Sequence, residues 1–163
     1  QIAKAMGATV YTTAKAVHHD FLKGLGADYT IDYEKENYID TILKLTNNKG
    51  VDVVIDTIGG NTLSDSGKIL SQMGQVVTLV DIEHPQNLIH AWGKNATYHF
   101  VFTRQNRNKL DELTKLIESG KLKPIVNKVF PLSEIGKAHS LLEHRIGAEN
   151  FYGKIGIEVE KEL

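Results

Sequence analysis

Cysteine is absent from all 163 residues, tryptophan occurs once and proline three times. Without cysteine the chain can form neither a disulfide nor a thiolate zinc site of its own, and a reducing, cytoplasmic setting fits. No apolar run approaches the roughly 20 residues that span a bilayer, and no secretory signal is visible, so no membrane partner is expected. Nineteen basic residues against 20 acidic ones leave a formal net charge of -1. That balance gives no electrostatic reason to expect nucleic acid or an anionic surface as a partner. What remains is ordinary for a globular domain with a real core, at 41% hydrophobic and 24% charged residues.

The chain opens as the tail of an amphipathic helix, Gln1-Ile2-Ala3-Lys4-Ala5-Met6, closed by Gly7 where a left-handed turn is needed. Strand patterns then recur over residues 9–13, 29–32, 51–56, 75–80 and 98–102. Val51-Asp52-Val53-Val54-Ile55 and Val76-Val77-Thr78-Leu79-Val80 are nearly continuous apolar runs, the pattern of strands buried on both faces of a parallel sheet. Between them lie helices of crossover length. Tyr38, Ile42 and Leu45 make one stripe, widened by Ile39 and Leu43; Leu110, Leu113, Leu116 and Ile117 make another before Gly120. The expected class is α/β, a doubly wound parallel sheet.

The character changes after Lys121. Pro124 ends the preceding unit, and residues 125–130 read as an extended segment closed by Pro131. Ser133 is the expected N-cap of a helix running to about Arg145, with Glu134 just inside it. Gly153 then precedes a last strand over residues 154–159.

In the doubly wound dinucleotide fold the strand order is 3-2-1-4-5-6, and the phosphate-binding glycine loop follows the first strand. Read on that scheme, the first strand and its loop belong before Gln1. The expectation is that the strands at Thr9 and Tyr29 lack the neighbour that would join them to the strand at Val51. Two open edges would then be filled by a further segment or by another chain.

Several runs together resemble the medium-chain dehydrogenase/reductase superfamily. They are Gln1 to Val10, Leu25-Gly26-Ala27-Asp28, Ile31-Asp32-Tyr33, Gly50 to Gly60, Gly120-Lys121-Leu122-Lys123-Pro124, Phe130-Pro131-Leu132-Ser133, Ala138-His139 and Gly153-Lys154. The similarity covers essentially the whole chain in order, and is strongest to the NADPH-dependent quinone oxidoreductase-like branch, often called zinc-type alcohol dehydrogenase-like. The resemblance implies a Rossmann-type cofactor domain over residues 1–123 and a return toward a catalytic domain over residues 124–163.

Cofactor choice follows from chemistry. An NAD-selective site places a carboxylate at the end of the second strand to meet the ribose 2′-hydroxyl. Here that position reads Thr12-Thr13-Ala14-Lys15, and the first acidic residue of the chain is Asp20. Hydroxyls and an ammonium suit a 2′-phosphate, so NADP is the expected cofactor. The resemblance adds Tyr33 as a phosphate or adenine contact. It also reads Thr57, Ile58 and Gly59, after Asp56, as a cofactor-lining loop rather than a plain turn capped by Asn61 or Thr62. Val80 is expected to face the cofactor, although Asp81 stands where many relatives carry glycine. Phe100, Val101 and Phe102 are implied near the nicotinamide, the alternative being simply the last buried strand. Lys154 is a looser candidate.

Seven histidines offer no metal spacing: His18, His19, His84, His90 and His99 are scattered, and His139 and His144 lie five apart. No metal ligand and no catalytic residue is nominated. The expected function is the cofactor-binding part of an NADPH-dependent oxidoreductase passing hydride to a quinone or an activated carbonyl or enone. By itself the chain is expected to be inactive. The alternatives are a zinc-dependent alcohol dehydrogenase whose ligands lie upstream, and a non-catalytic nucleotide-binding module. The resemblance further implies a small-molecule substrate and a homodimer formed through the edge strand from Tyr98 to Phe102.

Overall fold

Strand pairing begins where the β-branched and aromatic runs place it. In the computed structural model, which describes residues 1–80, 86–144 and 151–159, β1 (Tyr11–Thr13) and β2 (Tyr29–Ile31) pair in parallel, with Tyr11 opposite Tyr29 and Thr13 opposite Ile31. The two tyrosine rings stack, their centroids 4.8 Å apart. β3 (Val51–Asp56), β4 (Leu70–Thr78) and β5 (Thr97–Phe100) form a second parallel sheet in the order β3-β4-β5. β4 starts earlier than its apolar run: Val51 pairs with Leu70, but Val53 pairs with Gln75, so residues 71–74 form an irregularity. All this lies in one compact unit, residues 11–16 and 28–106.

Two helices give that unit its core. α3 (Tyr38–Leu45) is capped by Asn37, whose side chain accepts from the amides of Ile39 and Asp40 at 3.0 and 3.4 Å. α4 (Asn61–Ile69) follows the turn after β3, and the short α5 (Ile89–Trp92) precedes β5. Ile31, Ile42 and Ile69 pack together with Tyr38, Ile39, Val51 and Val54, tying β2 and β3 through α3 and α4. Leu63, Leu70 and Val76 form a second cluster with Val54, Ala96 and Tyr98.

The interruption anticipated from strand order is present: among the described residues, no strand pairs with the outer flank of β1 or with that of β3. One expectation needs correction. β3 is not buried on both faces, since Val53 and Ile55 are exposed, Ile55 to 63%. Its periodicity reports the burial a strand is suited to, but burial also needs a neighbouring surface, and the described residues supply one on the Val54 face only.

The other unit comprises residues 1–10, 17–27 and 107 onward. It contains α1 (Ile2–Ala5), α2 (His19–Gly24), α6 (Arg107–Glu118), β6 (Val126–Pro131), α7 (Ile135–His144) and β7 (Lys154–Glu158). Gly7 and Gly120 close α1 and α6 with φ of 86° and 70°. β6 and β7 pair in parallel, Phe130 opposite Ile157. The Gln1 side chain donates to the carbonyl of Lys123 and accepts from its amide, at 3.1 and 2.8 Å. Ser133 does not cap α7; it sits inside a 3-10 turn, Leu132–Glu134, that leads into the helix. The helix stripe of α6 forms as its period requires, yet none of its residues is buried. The expected helix end at Arg145, together with Asp81 and His84, falls outside the described residues.

Candidate functional site

The carboxyl ends of β1, β2, β3, β4 and β5 carry every candidate residue except Lys154. In open parallel sheets this is the end where ligands bind. The best-built element is the turn after β3. Asp56 ends the strand with 5% exposure, and its Oδ1 accepts from the amides of Ile58 and Gly59 at 3.1 and 3.2 Å. The Thr62 hydroxyl lies 2.9 Å from the same oxygen and 2.7 Å from the Gly59 carbonyl. A carboxylate accepting several donors fixes the loop far more firmly than a neutral turn residue would. Gly59 and Gly60 take φ of 77° and 61°, and a Cβ built on Gly60 would meet only open space. Glycine is therefore required there by backbone conformation rather than by crowding. Neither Asn61 nor Thr62 is the N-cap of α4; Gly60 occupies that position, and Thr62 instead ties the turn to Asp56.

Asp56 Oδ2 is a buried side-chain oxygen with no hydrogen-bond partner among the described residues. Such an oxygen carries a desolvation cost until a donor reaches it. Thr57 and Ile58 are exposed on the turn. Nearby, burial raises the Tyr38 phenol to about 12, with the carboxylates of Asp65 and Asp56 adding to the effect.

The ends of β1 and β2 are open by comparison. The amide of Ala14 donates to the carbonyl of Ile31 at 3.0 Å, carrying the pairing one residue past β1. Just beyond, Lys15 Nζ lies 2.6 Å from Glu34 Oε1, with both side chains about half exposed. Asp32 is buried; its Oδ1 accepts from the Glu34 amide at 3.1 Å, which shapes the loop bearing the exposed Tyr33. The Thr12 and Thr13 side chains precede this end on β1. Glu34 is the residue that sequence reasoning missed. Nineteen positions separate it from Lys15, and the signal was that parallel neighbours bring their carboxyl ends together.

β4 ends at Thr78, two residues before the expected Val80, whose amide lies 3.4 Å from the Thr78 hydroxyl. The amide of Val101 donates to the Thr78 carbonyl at 3.1 Å, continuing the β4–β5 ladder. Phe100, Val101 and Phe102 are exposed rather than buried, Phe102 to 88%. Lys154 belongs to the other unit, where its amide donates to the Ile125 carbonyl at 2.8 Å and its side chain is exposed. Among the described residues no three of His, Cys, Asp and Glu gather closely enough to hold a metal ion. No helix among them is long and apolar enough to cross a membrane.

Parallel strands joined through helices, with glycine turns and polar groups at their carboxyl ends, define a Rossmann-type domain. The chain belongs to the zinc-binding dehydrogenase family, whose model matches residues 25–147, within the medium-chain dehydrogenase/reductase superfamily. It is 36% identical over 147 residues to an NADPH-dependent alkenal/one oxidoreductase, chloroplastic, of Arabidopsis thaliana, covering 88% of this chain and 33% of that protein. The quinone oxidoreductase of Coxiella burnetii superposes with a TM-score of 0.78 at 33% identity, covering 98% of this chain and 47% of that one. An NAD-dependent alcohol dehydrogenase superposes with a TM-score of 0.84 at 29% identity, covering 98% of this chain and 46% of that one. The chain thus spans about half or less of the length of these relatives.

Proposed function

We propose that this chain is the cofactor-binding part of an NADPH-dependent oxidoreductase that reduces a quinone or an activated carbonyl or enone. The observation that carries the reading is the set of groups at the ends of β1 and β2: the Thr12 and Thr13 hydroxyls, the Lys15 ammonium and the exposed Tyr33 phenol. A 2′-phosphate is recognised by such donors. Relatives whose names include NADPH, alkenal or quinone support the same direction.

Bound NADPH would supply the hydride, as nicotinamide cofactors do. The chain's own residues then have three tasks. Lys15, Thr12, Thr13, Ala14 and Tyr33 would hold the adenosine end. The turn of Thr57, Ile58 and Gly59, fixed by Asp56, would approach the middle of the dinucleotide with its backbone. Val80, Phe100, Val101 and Phe102 would line the nicotinamide end and exclude water; Lys154, in the other unit, is the looser candidate of this reading. No side chain of this chain is assigned a proton-transfer role.

The same reading includes a cytoplasmic location, which a cysteine-free chain suits, and a homodimer built on β5. Support for the dimer is that β5, in the run from Tyr98 to Phe102, pairs with β4 on one side and, among the described residues, with no strand on the other. The complete natural protein tests the activity: it should oxidise NADPH in the presence of a quinone or a 2-alkenal, with NADH markedly poorer. Reduction of neither acceptor, or equal use of NADH, would reject the proposal.

A further inference from the structure

The 2.6 Å pair of Lys15 and Glu34 sets a carboxylate beside the cation assigned to the 2′-phosphate. We propose that Glu34 is a selectivity-setting residue: it competes with the 2′-phosphate for Lys15 and so limits the preference for the phosphorylated nucleotide. The inference rests on the reading of the β1 end as the 2′-phosphate site.

Three observations lead there. The two groups follow adjacent parallel strands whose register holds Thr13 opposite Ile31, so the sheet brings the segments that bear them to one end. The Asp32 turn fixes the start of the loop, since the buried Asp32 accepts from the Glu34 amide and its carbonyl accepts from Lys35 and Glu36 at 3.0 and 2.8 Å. Both side chains are about half exposed, so a ligand can reach the pair and water can take up Glu34 when it swings away.

The chemistry follows from charge. A ribose 2′-hydroxyl donates to a carboxylate, so a nucleotide without the phosphate leaves the pair intact and can use Glu34 as an acceptor. A 2′-phosphate cannot donate to it in its ionised form. Lys15 must turn toward the phosphate, and Glu34 is left as a like charge a few ångströms away. Sequence position hides this device, because the carboxylate expected of an NAD-selective site is missing from the end of β1 and arrives instead from the loop after β2.

The test is binding of 2′,5′-ADP and 5′-ADP to the complete natural protein, by calorimetry, in its parent form and in Glu34→Gln, Lys15→Gln and the double variant. Both substitutions keep side-chain size at exposed positions, and thermal unfolding reports whether each variant stays folded. Glu34→Gln should raise the preference for 2′,5′-ADP by roughly three- to tenfold, the size of one screened charge contact. In the Lys15→Gln background that gain should vanish. An unchanged or reduced preference in Glu34→Gln, with the parent still favouring 2′,5′-ADP, overturns the inference and leaves the site standing. No preference for 2′,5′-ADP in any of the four proteins overturns the site and the inference together.

Discussion

Asp56 at the end of β3 is 5% exposed, with three donors on one oxygen; Glu34 after β2 is half exposed and meets the Lys15 ammonium. Both carboxylates stand at the carboxyl ends of parallel strands in one unit, yet they do different work. The Asp56 carboxylate shapes backbone, holding Ile58 and Gly59 in the turn through their amides. The Glu34 carboxylate shapes nothing comparable and can exchange partners at small cost. Buried polar groups are worth most where every contact is fixed, while exposed pairs add little to stability and so remain available for recognition. The difference is between a turn held by buried hydrogen bonds and an open end held by an exposed ion pair.

Perturbing each region should separate these roles. The largest effect should come from Ile31→Ala, which removes the side chain joining the β2 end to α3 and α4. It should cost about 3 to 4 kcal/mol in urea unfolding, as expected for a large-to-small change in a packed core. Asp56→Ala should follow at about 2 to 3 kcal/mol, since it removes the acceptor that pairs the Ile58 and Gly59 amides in this turn. Its distinguishing sign is loss of amide protection at Ile58 and Gly59 with the β1 and β2 ends unchanged.

A smaller effect is expected from Tyr38, half-buried beside α4 and pushed up to about 12. Its folded-state value lies above the unfolded one of 10.0, so the folded protein keeps a proton that the unfolded chain releases. The associated stability is fully present below about pH 10 and is lost as pH rises through about 12. Allowing for solvent screening of a half-buried group, the loss is about 1 kcal/mol. Unfolding curves at pH 8 to 12 should show this slope in the parent chain and a flatter one in Tyr38→Phe. Smallest of all, Lys15→Gln should change stability by about 0.5 kcal/mol or less, while abolishing preference for a 2′-phosphorylated nucleotide.

The same contrast explains what could be read from sequence. β3 was bounded correctly by its apolar run from Val51 to Asp56, and α3 was legible in the Tyr38-Ile42-Leu45 stripe, because periodicity is a local property; its Asn37 cap was not read from the sequence. The break between β1 and β3 followed from strand order alone. Other features depended on distant residues. β4 begins at Leu70 because that residue meets Val51, and nothing in the run from Ser71 to Gly74 announces a strand. Ile55 and Phe102 are exposed because burial needs an opposing surface, which side-chain type does not reveal. At the site, the Asp56-Gly59 turn was visible as a motif, whereas Glu34 came into view only when β1 and β2 were paired.

Amide chemical shifts of the isotope-labelled chain, titrated with NADPH, test the central claim most directly. The account predicts the largest changes at residues 12–15, 33–34 and 57–60, with those at 12–15 much reduced when NADH replaces NADPH. Changes centred instead on β6 and β7, or identical at residues 12–15 for the two nucleotides, would contradict it.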